Sequence, residues 1–178
     1  HHLERQADRG RRAFGRLLQQ RCPALRQPHH PAVVTEVVVA QLGALIQLIT
    51  GKERRRIGLL GLAFKPDTDD LRNSPMVAVA ETLLGRGYEL HIYDPQLNLA
   101  RLIGANASEI QRRMRHLASL LRSSPCEVIE RSEVIVASQK CARPDELMSA
   151  ARADQCAIDV NGWTELKMLP WKYEGMCW

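Results

Sequence analysis

The stretch Ile57–Pro75 (IGLLGLAFKPDTDDLRNSP) constrains the fold of this chain more than any other. It begins with a short apolar run, Ile57–Leu62, whose length predicts a buried strand of a parallel sheet. The polar residues Pro66–Asn73 follow as a loop. Ser74 and Pro75 then have the pattern of an N-cap and a first-turn proline, which predicts the start of a helix. This order of strand, loop and helix N-terminus predicts a place to hold phosphate at the carboxyl edge of a sheet.

The remainder of the chain alternates apolar runs of strand length with segments of helical periodicity. The pattern predicts three further strands, at Glu89–Tyr93, Val134–Ala137 and Cys156–Val160. It predicts helices at Pro75–Arg86, Gln96–Ile103, Ser108–Arg115, Pro125–Arg131 and Pro144–Ala153. Such alternation predicts an α/β fold, a Rossmann-like doubly wound parallel sheet of about four or more strands. The tryptophan-containing tail, Gly162–Trp178, is expected to pack on the sheet or on a dimer face.

A long apolar segment, Ala32–Thr50, precedes the first strand and is too long to be a strand itself. One helical stripe contains Val34, Val38, Leu42, Leu45 and Ile49. The segment therefore predicts a long α-helix before the sheet. An apolar surface this wide favours a partner, and a helix that packs only on its own sheet is the alternative. Because Glu36, Gln41 and Gln47 interrupt it, a membrane span is not expected.

The positive charge of the chain is concentrated at its N-terminus. The formal net charge is +5, and the arginines of residues 1–30 account for this surplus. We therefore divide the chain into a basic N-terminal segment and linker (1–30), a connecting or dimerisation helix (31–52) and an α/β domain (53–178). The first four residues resemble the remnant of an affinity tag and are left out of the fold prediction. Since the domain itself is nearly neutral and aromatic residues make up 4% of the chain, nucleic acid is not an expected partner.

The five cysteines are odd in number and contain no C-x-x-C pair; they are Cys22, Cys126, Cys141, Cys156 and Cys177. With no signal peptide in the sequence, they predict a reduced, cytoplasmic setting. A metal site built from the last four would be poorly spaced, so no metal is expected.

Two cations and one carboxylate are the candidate binding residues. Lys65 lies just past the first strand, beside Phe64, where a lysine offers a point charge to a pyrophosphate; a solvated loop lysine is the alternative. Arg72 lies on the helix side of the loop. It could contact a ligand, and an ion pair with Asp69 or Asp70 is an equal alternative. Asp94 follows the second strand, the place of a ribose-binding acid, but a helix cap is favoured because the glycines form G-x-x-G and not G-x-G-x-x-G.

The pattern G-x-x-G-x-x-F-K-x-x-T-x-D-x-R-x-S-P, from Gly58 to Pro75, resembles the start of the C-terminal domain of UDP-glucose/GDP-mannose dehydrogenases. The resemblance extends from about Ile46 to Trp178. Within that family the segments GYELHIYDP and IGANASEI and the terminal Gly175–Trp178 are most similar to the GDP-mannose 6-dehydrogenases.

The resemblance implies a sugar-nucleotide-binding domain of an NAD-dependent dehydrogenase that makes polysaccharide precursors. It implies that Phe64 and Lys65 contact a nucleotide sugar, GDP-mannose or UDP-glucose. It implies that Arg72 contacts NAD, which is held mainly by a domain absent from this chain, and that the helix at 31–50 forms a homodimer.

The residues that perform catalysis in the family have no counterpart here. The family's nucleophilic cysteine lies in a G-G-x-C context, whereas Cys22 lies in QQRCPALRQ, so no catalytic residue is expected. The N-terminal dinucleotide-binding fingerprint is absent as well. We expect either a fragment or a naturally shortened protein without catalysis; the alternative function is a non-catalytic nucleotide-sugar-binding or dimerisation module.

Overall fold

A computed structural model describes residues 31–63, 74–97 and 119–176, with side chains in the first helix from Val39 onward. The first half contains α1 (Pro31–Thr50), β1 (Arg56–Leu60), α2 (Pro75–Gly85) and β2 (Glu89–Tyr93). The second half contains α3 (Pro125–Arg131), β3 (Val134–Ala137), α4 (Pro144–Met148), β4 (Cys156–Asp159), a 3₁₀-helix (Thr164–Met168) and β5 (Lys172–Gly175).

The strands form one parallel five-stranded sheet in the order β2-β1-β3-β4-β5. The predicted α/β fold with a parallel sheet is therefore confirmed. The chain passes from β1 to β2 on one side and then returns to β3 on the other side of β1. In open parallel sheets, ligands bind at such a switch point, outside the carboxyl ends of the strands. The sheet order places that point between β1 and β3.

Helices cover both faces of the sheet, because alternate residues of each strand face opposite ways. On one face, Ile57 and Leu59 pack with residues of α1 and α2. On the other face, Leu60 packs with residues of α3, α4 and the 3₁₀-helix. This arrangement gives the sheet two apolar cores, as a doubly wound fold requires.

The long helix α1 is confirmed, and its C-terminal half packs on the sheet of its own chain. Leu45 and Ile49 are 1% and 0% exposed in the core beneath it. Val39 is 62% exposed on the same helix. The partner expected for this helix stays a prediction. Within the described ranges, no helix has both the length and the apolar character that a membrane span requires.

Strands β2 and β3 and helix α3 have the predicted bounds, whereas other elements differ. Strand β1 ends at Leu60, not Leu62, because the next residue, Gly61, has a φ of 92° that no strand can continue. Helix α4 ends at Met148, not at Ala153, and the N–H of Ala150 bonds to the carbonyl of Leu147 three residues back, a 3₁₀-type bond that tightens the last turn.

The C-terminal tail packs on the sheet, as one of its two predicted alternatives stated. Trp163 and Trp171 are buried in the second apolar core. The tail also adds the strand β5, which the sequence reasoning missed. The predicted N-terminal segment 1–30 and the helix at Ser108–Arg115 lie outside the described residues, as does the helix at Gln96–Ile103 beyond Leu97.

Candidate functional site

The carboxyl end of β1 approaches the carboxyl end of β3 very closely at Gly61. A Cβ atom placed on Gly61 would lie 2.7 Å from the Cβ of Gln139 and 2.9 Å from the Oγ of Ser138. Its φ of 92° is also in the region that favours glycine. Both constraints fix glycine at the point where the chain leaves the sheet.

Asp94 follows β2, and its carboxylate, which is 4% exposed, binds the two residues that follow Gly61. Its Oδ2 accepts hydrogen bonds from the backbone N–H groups of Leu62 and Ala63, both at 2.7 Å. Its Oδ1 accepts the N–H of Gln96 at 2.9 Å. Both oxygens therefore bind backbone N–H groups, two of them at the exit of β1. The helix cap predicted for Asp94 stays a prediction, because the chain beyond Leu97 lies outside the described residues.

Ser74, at the start of α2, binds the exit of β1. Its hydroxyl donates to the carbonyl of Leu62 at 2.5 Å and accepts the N–H of Met76 at 3.2 Å. The predicted N-cap and first-turn proline of α2 are thus confirmed. One hydrogen bond therefore joins the exit of β1 at Leu62 to Ser74, at the N-terminus of α2.

Ser138 and Gln139, which follow β3, bind backbone carbonyls at the end of β1, on the side opposite to Asp94. Ser138 Oγ donates to the carbonyls of Gly61 at 2.6 Å and Leu60 at 3.2 Å. The side-chain amide of Gln139 donates to the carbonyl of Ala63. The sequence reasoning missed both residues, since nothing in the local pattern tells that β3 lies next to β1.

The ends of β3 and β4 carry further polar groups. Lys140 Nζ lies 3.4 Å from Glu165 Oε2 in an exposed ion pair. Asp159 is fully buried, and its Oδ2 accepts the hydroxyl of Tyr173 at 2.7 Å. The polar groups of this part of the edge are therefore paired with one another.

The predicted binding residues Phe64, Lys65 and Arg72 lie outside the described residues, as do Cys22 and the acidic residues Asp69 and Asp70. The structure does describe a frame of flanking residues, made of Leu62, Ala63 and Ser74 with the side chains that bind them. That frame joins β1, β2 and β3 at the carboxyl edge and includes the N-terminus of α2. A helix N-terminus at this position favours an anionic ligand.

The described cysteines are free thiols, and two of them are poor nucleophiles. Burial, followed by the carboxylate of Asp94, raises the pKa of Cys141 to about 12. Burial also raises the pKa of Cys156. Such thiols stay protonated at neutral pH, and the thiolate is the reactive form. No group of three or more His, Cys, Asp and Glu among the described residues could hold a metal ion.

Comparison with known proteins gives consistent similarities. Residues 58–173 match the sequence model of the UDP-glucose/GDP-mannose dehydrogenase family, UDP binding domain. The chain is 37% identical over 140 residues to GDP-mannose 6-dehydrogenase of Pseudomonas putida, covering 78% of this chain and 32% of the relative. It is 38% identical over 138 residues to the enzyme of the same name from Pseudomonas aeruginosa, with 78% of this chain and 31% of the relative covered.

A solved structure shares the fold. The chain superposes on a ternary complex of GDP-mannose dehydrogenase from Pseudomonas aeruginosa with a TM-score of 0.70 and 35% identity. The match covers 92% of this chain and 38% of that one. The chain thus spans about a third of the length of the curated relatives it matches.

Proposed function

The chain belongs to the UDP-glucose/GDP-mannose dehydrogenase family, and from this premise we propose that it is the nucleotide-sugar-binding domain of an NAD-dependent 6-dehydrogenase. One observation carries the proposal. The described residues on either side of 64–73 are held together at the switch point of a parallel sheet: Asp94 accepts the N–H groups of Leu62 and Ala63, and Ser74 donates to the carbonyl of Leu62. GDP-mannose is the first substrate to test, because the relatives named above are GDP-mannose 6-dehydrogenases.

The chemistry at this edge favours side-chain cations as the partners of a diphosphate. The N–H groups of Leu62 and Ala63, which could otherwise bind phosphate, already bind the carboxylate of Asp94. The charge of a diphosphate must therefore be met by other groups. We assign this role to Lys65, with the N-terminus of α2 adding a favourable dipole and Phe64 a contact to the same ligand.

Arg72 is assigned to the cofactor. NAD, held mainly by a domain outside this chain, would supply the hydride acceptor for oxidation at C6 of the sugar. This chain would contribute the guanidinium of Arg72 and no catalytic cysteine, because Cys22 lacks the G-G-x-C context of the family. Among the described thiols, Cys141 and Cys156 have raised pKa values and are protonated at neutral pH. We expect the 178-residue chain to bind nucleotide sugar weakly and to produce no NADH. A GDP-mannose-dependent NADH signal would overturn that expectation.

Calorimetry with GDP-mannose and UDP-glucose tests the binding role. Lys65→Ala is expected to lower the affinity for the preferred ligand at least about tenfold, because a charge-assisted contact is lost. Lys172→Ala is the matched control. It removes an exposed lysine at the start of β5, which is at the amino edge of the sheet and not at the carboxyl edge of the proposed site. Equal affinities of wild type and Lys65→Ala, or equal losses in both variants, would refute the proposal.

A non-catalytic dimerisation module is the second candidate, and one observation favours it. Val39 is 62% exposed on a long apolar helix. We propose that α1 pairs with a second copy of this chain around Val39. Light scattering over a range of concentrations should give the mass of a dimer for wild type and a lower mass for Val39→Asp. A wild-type monomer at every concentration would refute the pairing.

The proposal includes a reduced, cytoplasmic setting. The described cysteines Cys126, Cys141 and Cys156 are free thiols, as such a setting predicts.

A further inference from the structure

The outer edge of β2 is covered by the residues that lead into α3. Strand β2 lies at one end of the sheet and pairs with β1 on one side. On its other side, Ile92 forms a parallel bridge with Leu121, and the Ile92 carbonyl accepts the N–H of Arg122 at 2.7 Å. An uncovered edge strand can pair with another chain, so residues 121–122 protect this edge.

The guanidinium of Arg122 ties these residues to a buried histidine. Its Nη1 donates to the carbonyls of Ser119 at 3.0 Å and Leu121 at 3.1 Å. Its Nη2 lies 3.2 Å from Nδ1 of His91, which is 3% exposed. A guanidinium can only donate, so Nδ1 must be the acceptor. The contact therefore requires a neutral imidazole with its proton on Nε2.

We propose that His91 and Arg122 form a pH-sensitive latch, which holds residues 119–122 on the outer edge of β2 while His91 is neutral and releases Arg122 when His91 is protonated. Protonation puts a hydrogen on Nδ1, so that two donors face each other across the contact. The N–H that binds Ile92 belongs to the released residue, so this edge opens more often. Leu120 and Leu121 pack against the first apolar core, which keeps the opening local.

The groups around the latch determine the direction of its pH dependence. Among the described residues, the charged groups that face it come from β2, from the residues before α3 and from α3: Glu89, Arg122, Glu127 and Arg131. The β1 residue opposite His91 is Gly58, which has no charge. Burial, followed by Arg122, lowers the pKa of His91, against the effect of Glu89. The latch is therefore closed at neutral pH and opens as the pH falls below about 6.5.

Amide exchange of the 178-residue chain measures this opening, once the rates are corrected for the intrinsic pH dependence of exchange. Protection of the Arg122 N–H should fall by up to about tenfold for each pH unit below about 6.5. The N–H of Gly61 binds the Tyr93 carbonyl at 2.8 Å on the β1 side of β2 and should keep its protection. Constant protection at Arg122, or equal falls at both amides, would overturn the latch.

Two variants separate the latch from other effects of acid. His91→Gln keeps an acceptor oxygen and cannot be protonated, so protection of the Arg122 N–H should become independent of pH. Arg152 is the matched control, because it also donates to two backbone carbonyls, those of Glu130 and Ser132, at the amino edge of the sheet. Arg152→Met should leave the pH dependence at Arg122 as in wild type. Wild-type pH dependence in His91→Gln, or its loss in Arg152→Met, would contradict the inference.

The ring nitrogens of His91 provide a test that needs no variant. Nitrogen NMR of the wild-type chain at about pH 7.5 should show an unprotonated Nδ1 and a protonated Nε2. A proton on Nδ1 at that pH would exclude the hydrogen bond from Arg122 and overturn the proposal. The inference concerns the fold and not the nucleotide-sugar site, so neither result bears on the proposed function.

Discussion

The side-chain hydroxyl of Ser74 donates a hydrogen bond of 2.5 Å to the backbone carbonyl of Leu62. The same oxygen accepts the N–H of Met76 in the first turn of α2. One buried hydroxyl therefore both caps a helix and joins its start to the exit of β1. The stability of the helix and the position of this strand exit depend on the same atom.

Ser74→Ala should destabilise the protein by about 2 to 3 kcal/mol, because it removes a cap and leaves a buried carbonyl without its partner. Urea denaturation measures the change. Ser124→Ala is the control, since Ser124 caps α3 by accepting the N–H of Glu127 and, among the described residues, makes no second bond through its hydroxyl. That variant should lose about 1 kcal/mol. Equal losses in the two variants would contradict the double role of Ser74.

Asp94→Asn tests the capping role of the buried carboxylate. Asparagine has only one acceptor oxygen, because its NH2 group can only donate. It cannot replace both carboxylate oxygens, so the variant should lose about 1.5 to 3 kcal/mol of stability. Amide exchange at Leu62 and Ala63 should accelerate. Asp154→Asn, in an exposed pair with Arg152, should change little. A variant of Asp94 that keeps wild-type stability but loses nucleotide-sugar affinity would favour the ribose contact instead.

The parts of the fold that sequence reasoning predicted are those encoded locally. Strand β3 is a short apolar run, β2 alternates polar and apolar residues (ELHIY), and α2 and α3 each begin with a serine cap followed by proline. These signals need no knowledge of the rest of the chain. Strand β5 lacks them, because its residues are exposed or half-buried and it forms by pairing with β4.

The candidate site was predictable only in part, for the same reason. Ile57–Pro75 located the strand exit and the helix cap at Ser74, whereas the bonds of Asp94 to the exit of β1 were not predicted. The contacts of Ser138 and Gln139 depend on β3 lying beside β1, which is a matter of strand order. No property of residues 138–139 alone indicates which carbonyls they bind.

Gly61→Ala should destabilise the protein by at least about 2 kcal/mol, because a positive φ and a Cβ clash both oppose it. Gly85→Ala is the control. Gly85 is the last residue of α2, and a Cβ there meets nothing within 4 Å. Alanine in that helix should stabilise the protein by up to about 1 kcal/mol. Chemical denaturation should therefore give shifts of opposite sign, and shifts of the same sign would contradict the geometry at Gly61.

The buried imidazole of His91, which is 3% exposed, should make stability fall in mildly acidic solution. Burial, followed by the guanidinium of Arg122 at 3.2 Å from Nδ1, lowers the pKa of His91. The carboxylate of Glu89, 3.2 Å from Nε2, opposes this shift, and Arg131 adds to it.

Because the pKa of His91 is lower in the folded protein, the unfolded chain binds its proton first as the pH falls. The stability that the neutral imidazole provides is complete above the unfolded pKa of about 6.5 and is lost progressively below it, toward the folded pKa. Urea denaturation of wild type and His91→Gln from about pH 8 to about pH 5 isolates this contribution, since the other histidines are common to both proteins. The free energy of unfolding of wild type should decrease more steeply below about pH 6.5 than that of the variant. Parallel curves, or a steeper curve for His91→Gln, would show that folding does not lower the pKa of His91.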